Sequence, residues 1–323
     1  MKSSVVIPTY NSAKTIATTL ESVFSQTIPP GEILIMDDGS TDQTVSILRG
    51  YAPRITLFEQ SNRGVARARN VLVQRARGDL VAFLDHDDIW HPRYLAAQQK
   101  SFESHPDAVG FFTGHHNFWG VADFDWETVS PGTQASAEII APSDFLTRYH
   151  KSMGKFGSMS YCCVPRHILA RVGDEPFCPV VPGVDDFFLF HMLILLGPIV
   201  FNPEPLVAYR ITPGAQSASL LASVQKAVRA MELLEPRFRQ QPDLKLKRAF
   251  NRAFASQRRE YGRVLMGTAQ ASQARKQLWF SMTHSCQAAS LAKSFALLFL
   301  TRMPNRFQPK WPSERKVTHL QRN

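Results

Sequence analysis

The tetrad Asp85-His86-Asp87-Asp88 follows directly on the apolar run Leu80-Val81-Ala82-Phe83-Leu84. Carboxylates massed at the end of a buried strand suit a hard divalent cation, Mg²⁺ or Mn²⁺, which prefers oxygen ligands and substrate phosphates. Such a cation acts as a Lewis acid on a departing phosphate group. Hard cations seldom take imidazole, so His86 reads as a spacer. Taken alone, the tetrad could equally be a solvated acidic loop. Asp37-Asp38 ends another apolar run, Glu32 to Met36, and also suits a tight turn leading to a helix cap. Asp185-Asp186 opens an apolar stretch, where first-turn acids also complement the helix dipole. Arg69 and Arg210 carry guanidinium groups that match phosphate in shape, though each also fits an exposed helix position or a surface ion pair. His115-His116 has no partner four residues on and reads as surface or loop rather than a metal site.

The elements that must position these groups alternate. Ser4 to Ile7 predicts a buried strand ended by Pro8; Ile16, Leu20, Val23 and Phe24 recur at helical spacing behind Asn11-Ser12. Strands follow at Glu32 to Met36, Ile55 to Phe58 and Leu80 to Leu84. Helices start at Thr41-Asp42 and run over 64–77. This order implies right-handed crossovers and a mostly parallel α/β sheet, with ligands bound beyond the carboxyl ends of its strands. Pro8-Thr9-Tyr10, Asp37-Asp38 and the tetrad all sit at such ends, so three separated pieces of sequence make one site. Residues 107–215 are less regular. Strands are expected at Ala108 to Thr113, Ile199 to Asn202 and Leu206 to Tyr209, with helices near 143–149, 165–171 and 185–196. Trp90 and Pro92 read as a packing turn. From about 219 onward the pattern is helical.

Four motifs occur in order: Val5-Val6-Ile7-Pro8-Thr9-Tyr10-Asn11, Met36 to Asp42, Asn62-Arg63-Gly64 with Ala68-Arg69-Asn70, and Phe83 to Asp88. Together they resemble glycosyltransferase family 2, strongly over 3–105 and more weakly to about 219. The helical basic C-terminal extension, read from its charge and apolar spacing, lies outside this resemblance. The resemblance implies a GT-A fold and inverting transfer from a nucleotide-diphosphate sugar, with a UDP-sugar expected. It implies that Asp87, with Asp85, holds the metal, and that Asp85 lies nearer the ribose and sugar. It places Asp38 on the base and the backbone of Pro8, Thr9 and Tyr10 around the uridine, with Arg69 as a nucleotide contact. Gly183-Val184-Asp185-Asp186 resembles the family's acidic dipeptide, with Asp in place of the first Glu. Carried over, Asp186 is the general base and Asp185 its supporter. Leu206 to Arg210 with Ser217 and Ser219 resembles the closing segment, but Thr212 stands where the family often has His; Arg210 could still meet phosphate.

The organisation expected is a catalytic domain over 1–218, split into a nucleotide-sugar and metal half (1–105) and an acceptor half (106–218), then a helical region over 219–323. Charge divides similarly. Residues 1–236 hold 19 Lys/Arg and 24 Asp/Glu, whereas 237–323 hold 18 and 3. Phe250, Phe254, Tyr261 and Leu265 recur among these cations, and Leu291, Phe295, Leu298 and Phe299 form a second apolar face. Residues 243–302 therefore suit an anionic membrane surface, or else pack on the acidic half of the chain. No nucleic-acid motif accompanies the charge, and no nucleic acid is expected as a partner. Four cysteines without disulfide or zinc spacing suit reduced thiols. No secretory core or apolar run of spanning length is present. The expected place is therefore the cytoplasm, peripheral at the membrane, with a saccharide or lipid-linked acceptor made there. The alternative function is a catalytically silent nucleotide-sugar-binding protein. A dehydrogenase is disfavoured by the missing Gly-x-Gly-x-x-Gly, and a nucleotidyltransferase by the first loop.

Overall fold

The computed structural model describes residues 1–120, 124–129, 136–151, 157–211, 220–268, 270–284 and 288–301. The chain forms two compact units, Met1–Thr212 and Pro213–Asn323. The boundary expected at 218/219 lies outside the described residues.

In the first unit, β1 (Ser3–Thr9), α1 (Ile16–Phe24), β2 (Glu32–Asp37), α2 (Thr44–Arg49), β3 (Thr56–Glu59), α3 (Val65–Arg75) and β4 (Leu80–Phe83) alternate as expected. There follow β5 (Ile89–Trp90), α4 (Tyr94–Ser104), β6 (Gly110–Trp119), β7 (Glu138–Ile140), α5 (Pro142–Lys151), β8 (Cys162–Pro165), α6 (Arg166–Val172), α7 (Asp185–Leu193) and β9 (Ile199–Ile211). The described strands form one sheet in the order β3-β2-β1-β4-β8-β6-β9-β5, with β7 also on β9. Strands β3, β2, β1 and β4 are parallel, β8 runs against both neighbours, and β6 and β9 are parallel. Because helices cover it, the parallel part is buried throughout β1 and β4, which is why those strands read as unbroken apolar runs.

Several expectations change. Pro8 does not end β1 but lies inside it, paired with Met36 and beyond the last β1–β4 pair, where a missing N–H costs no ladder bond on that side. The short strand expected at 108–113 continues to Trp119, so His115 and His116 lie on a strand and not in a loop. The two strands read at 199–202 and 206–209 are one, β9. In both cases the cause is the register shift around Gly114, which breaks the alternation that marks a strand. A Cβ on Gly114 would meet the Pro203 carbonyl oxygen at 2.5 Å, so glycine permits the close approach. Trp90 does pack, but as part of β5. It is fully buried, stacks on Tyr94 at 4.1 Å and donates its indole N–H to Ser160 O (2.9 Å). Strands of two to four residues, such as β5, β7 and β8, are too short for periodicity to register.

The second unit holds α8 (Leu220–Gln240), α9 (Leu244–Gly267), α10 (Ala271–Thr283) and α11 (Ala288–Leu300). Asp243 caps α9, accepting from Lys245 N and Leu246 N. Part of the apolar face of α9 is used within this unit: Phe250 stacks on Phe238 of α8 at 4.1 Å, and Phe254 meets Phe280 of α10 at 5.0 Å. Among the described residues no helix is long and apolar enough to cross a membrane. Replacing the buried Phe250 by Ala is expected to cost about 3–5 kcal/mol through lost contacts and a cavity, read as a lower midpoint for unfolding of the helical unit in urea.

Candidate active site

The loops after β1 and β2 are built together. Asn11 adopts a left-handed conformation (φ 49°) that its short polar side chain tolerates. Its Oδ1 accepts Thr41 N at 2.8 Å, and its own N–H donates to Ser40 Oγ at 2.9 Å. Asp37 forms the expected tight turn, accepting from Ser40 N (2.9 Å) and Gly39 N (3.2 Å), with Gly39 at φ 79°. Asp38 is buried. Its Oδ1 accepts Arg63 N (2.8 Å) and Gln60 Nε2 (2.7 Å), and its Oδ2 accepts Gly64 N (2.7 Å). The carboxylate thus ties the 60–64 loop down and caps the start of α3, where its charge suits the helix dipole. Pro8 and Thr9 are buried beside it, Thr9 O accepts Asp38 N at 2.8 Å, and Tyr10 is exposed.

One turn into α3, Arg69 reaches across the sheet. Its guanidinium donates to Asp85 Oδ1 (2.5 Å) and to Asp185 Oδ2 (2.6 Å), and it packs against the Phe177 ring. Arg69 and Asp185 are almost wholly buried, at 7% and 2% side-chain exposure. Burial opposes the arginine's charge, but Asp85, Asp185 and Asp186 outweigh it and hold the group protonated. The neighbouring Asn70 adds a second tie to the same segment, donating to Phe177 O (2.8 Å) and accepting from Phe177 N (2.9 Å). The segment leading into α7 is therefore pinned to α3 at two successive residues. Asp186 follows Asp185 at the start of α7, partly accessible, with Phe187 N donating to its Oδ1 at 2.6 Å. Burial pushes the Asp186 carboxyl up to about 7, with the Asp185 charge adding to it and Arg69 opposing.

The tetrad is held from three sides. Thr19 of α1 donates to Asp88 O (2.9 Å) and His86 O (3.1 Å). Ser160 Oγ accepts Asp85 N at 3.0 Å. Arg210, at the end of β9, donates Nε to Asp87 O (2.7 Å), its backbone N–H to Asp88 Oδ1 (2.9 Å) and Nη1 to Gly120 O. Asp88 is fully buried and its Oδ2 has no hydrogen-bond partner among the described residues; burial raises its carboxyl, and the Asp87 and Asp85 charges add to this. Asp87 stays partly accessible; burial raises it, His86 opposes, and Asp85 adds to the rise. Tyr161 and Tyr209 stand beside the acids, 5.8 Å apart, with His115 stacked on Tyr161 at 4.3 Å. Thr212, Ser217 and Ser219 lie outside the described residues.

The structure thus joins Arg69, Asp85 and Asp185 directly, sets Asp186 next to them, and bonds Arg210 to the tetrad. Asp38 and the Pro8–Tyr10 segment form a second cluster. Sequence reasoning missed Asp88 as an anchor, although it stood within the tetrad. It also missed Ser160, which carried no motif signal. Among the described residues no group of three or more His, Cys, Asp or Glu side chains is assembled to hold a metal.

Removing the charge at Arg69 leaves Asp185 buried without a counter-ion. Arg69→Met should cost about 3–5 kcal/mol of stability in the catalytic unit. Arg69→Met with Asp185→Asn should cost clearly less than the two single changes summed. Urea denaturation of all three variants checks this, and strict additivity would show the pair to be uncoupled.

Residues 4–162 match the family model described as glycosyl transferase family 2. An uncharacterized glycosyltransferase of Nostoc sp. is 33% identical over 237 residues, 70% of each chain. The poly(ribitol-phosphate) beta-N-acetylglucosaminyltransferase TarS of Staphylococcus aureus is 36% identical over 123 residues, 36% of this chain and 20% of that protein. The crystal structure of TarS 1–349 in complex with UDP-GlcNAc superimposes with a TM-score of 0.65 at 16% identity, covering 93% of this chain and 90% of that one. At that identity the likeness speaks for the fold alone, which is the GT-A architecture expected from the four motifs. Motif order, sheet topology and the Nostoc relative agree, and the chain belongs to glycosyltransferase family 2.

Proposed function

We propose that this chain transfers a sugar from a UDP-sugar to a hydroxyl of a saccharide or lipid-linked acceptor in polysaccharide synthesis, inverting the anomeric centre. The observation that carries this reading is the Arg69 bridge: it sets the tetrad's Asp85 and the Asp185-Asp186 pair on either side of one guanidinium. Donor and base chemistry thereby share one site. TarS, whose structure holds UDP-GlcNAc, supports a UDP-sugar as donor. Asp186 is the general base. A carboxyl raised to about 7 is well matched to proton removal near neutral pH. It takes the acceptor hydroxyl proton as that oxygen attacks the anomeric carbon, and the bond to the diphosphate breaks with its electron pair leaving on phosphate. Asp185, fixed by Arg69, orients it.

Pro8, Thr9, Tyr10 and Asp38 form the nucleotide end. Asp38 shapes the pocket through the loop it anchors, and one of its lone pairs remains for the base. A divalent cation, Mn²⁺ or Mg²⁺, would be held by Asp87 with support from Asp85. The residue chemistry fits without a preassembled cluster: Asp87 is partly accessible, and the charge of Asp85, which raises its carboxyl, is one that a cation would offset. One or two carboxylates completed by phosphate oxygens is an ordinary arrangement for these ions. When bound, the cation neutralises the leaving diphosphate as a Lewis acid. Arg210 holds the Asp87 backbone in place and adds positive charge beside the same phosphates. The free thiols Cys162, Cys163 and Cys178 suit a reducing compartment, and the basic region over 243–302 suits the cytoplasmic face of an anionic membrane.

Purified protein given UDP-sugars, Mn²⁺ and a saccharide acceptor should form a product of inverted configuration, read by NMR of the fresh product; retention refutes single displacement. Asp87→Asn should abolish transfer and weaken metal-dependent donor binding without unfolding the chain, and full activity in excess chelator would contradict this. Asp186→Asn should still bind donor and metal while losing transfer by at least about 10²-fold. In the wild type, kcat/KM should fall as pH drops below about 7, because the base becomes protonated there. A flat profile from pH 5 to 8 would assign the proton removal to another group.

A further inference from the structure

Helices α8, α9 and α10 use their apolar residues on one another, and even Arg258 is folded over Phe254 and Phe280 while bonding Glu232 and Gln277. Helix α11 is arranged the other way round. Leu291, Phe295 and Phe299 recur every four residues and so share one face. The two phenylalanines are 59% and 58% exposed. The inward edge is polar: Ser294 is fully buried and shares a hydrogen bond with Ser281 of α10 at 2.9 Å, and Ser290 Oγ accepts from Arg259 at 2.5 Å. Hydroxyls face the unit and aromatic rings face outward. On α10, Trp279 is 61% exposed. The exposed Arg275 and Lys276 precede it by four and three residues, so both cations lie beside the indole on one helix face. The exposed Lys293 lies within α11 itself.

Three occupants could cover these rings. A soluble polyanion, such as an acidic acceptor polymer, would answer the charge but leave Phe295 and Phe299 in water. A second copy of the chain would bring together two regions that each carry 18 Lys/Arg against 3 Asp/Glu over residues 237–323. An anionic bilayer answers both demands. The rings enter the headgroup–acyl boundary, the indole sits at the interface, and the flanking cations meet lipid phosphate. The 13 residues of α11 extend about 20 Å, too short to cross a bilayer and suited to lying along its surface.

We infer that α11, together with Trp279 of α10, is the lipid-facing element that seats this enzyme on an anionic membrane. This narrows the membrane reading given above from 243–302 to 271–300 and removes α9 from it, since the apolar face of α9 is buried. It rests on that membrane reading and is independent of the assignment of the base and metal ligands.

The test is flotation of the full chain with phosphatidylcholine vesicles containing about one third phosphatidylglycerol, and with phosphatidylcholine alone. Wild type should float with the anionic vesicles at low salt and much less with neutral ones. Phe295→Asp with Phe299→Asp should lower partitioning at least about tenfold, and Arg275→Glu with Lys276→Glu comparably. Turnover of a soluble acceptor should be unchanged in both, because both pairs belong to the helical unit and the residues proposed for catalysis to the other, so a failed membrane assignment and a failed transferase assignment are read separately. Phe295→Ser with Phe299→Ser provides a milder pair if the aspartates disturb folding. The inference falls if wild type stays in the bottom fraction, or if every phenylalanine variant floats like wild type. It also falls if light scattering shows these variants splitting a dimer that ignores vesicles, or if wild type binds soluble polyphosphate but no vesicle.

Discussion

The ion bridge at Arg69 is the interaction on which the catalytic unit turns. A guanidinium on α3 is buried between a carboxylate at the end of β4 and another at the start of α7. Burying a guanidinium and a carboxylate is costly, and the arrangement holds because Asp185 and Asp85 each accept from a different terminal nitrogen of the same guanidinium. Its rigidity then propagates. Asp85 is fixed, so the rest of the tetrad follows it at a set angle; Asp185 is fixed, so Asp186 is presented from the first turn of a helix rather than from a loop. Asn70 repeats the tie one residue on, through the backbone of Phe177.

Burial around that bridge sets the chemistry. Asp186 is raised to about 7 because desolvation and the adjacent Asp185 outweigh the nearby Arg69. Asp88 is raised for the same reasons, yet acts as an anchor, since one of its oxygens takes the backbone N–H of Arg210. Two carboxyls raised by the same causes thus sit in different settings. Asp186 keeps some access to solvent, as the proposed base needs, whereas Asp88 has none.

The helical unit solves a separate problem. Its charge is high, and its long helices need partners for their apolar faces. Phe238, Phe250, Phe254 and Phe280 supply these internally. Helix α11 differs in exposing Phe295 and Phe299 while burying Ser294 against Ser281. Amphipathic periodicity alone does not distinguish these helices, because a stripe of apolar residues looks the same whether it meets a neighbouring helix or a bilayer.

The amino-acid sequence determined the order and kind of the elements from β1 to β4, though not every boundary. Buried parallel strands are continuous apolar runs, and their carboxyl ends collect the polar loops, so β1 to β4, Asp38 and the tetrad were legible directly. The acid pair Asp185-Asp186 was legible through its motif. Tertiary structure decided what local patterns do not carry. The register shift at Gly114 merged or extended strands by breaking their alternation. Strands as short as β5 and β8 exist because neighbours already in place complete their hydrogen bonds. Arg69, which resembles any helix arginine in sequence, became a buried strut because the sheet brings two carboxylates from 16 and 116 residues away to its tip. Long-range pairing of charges is fixed by the packed sheet and not by spacing along the chain, and so only the folded structure could assign it.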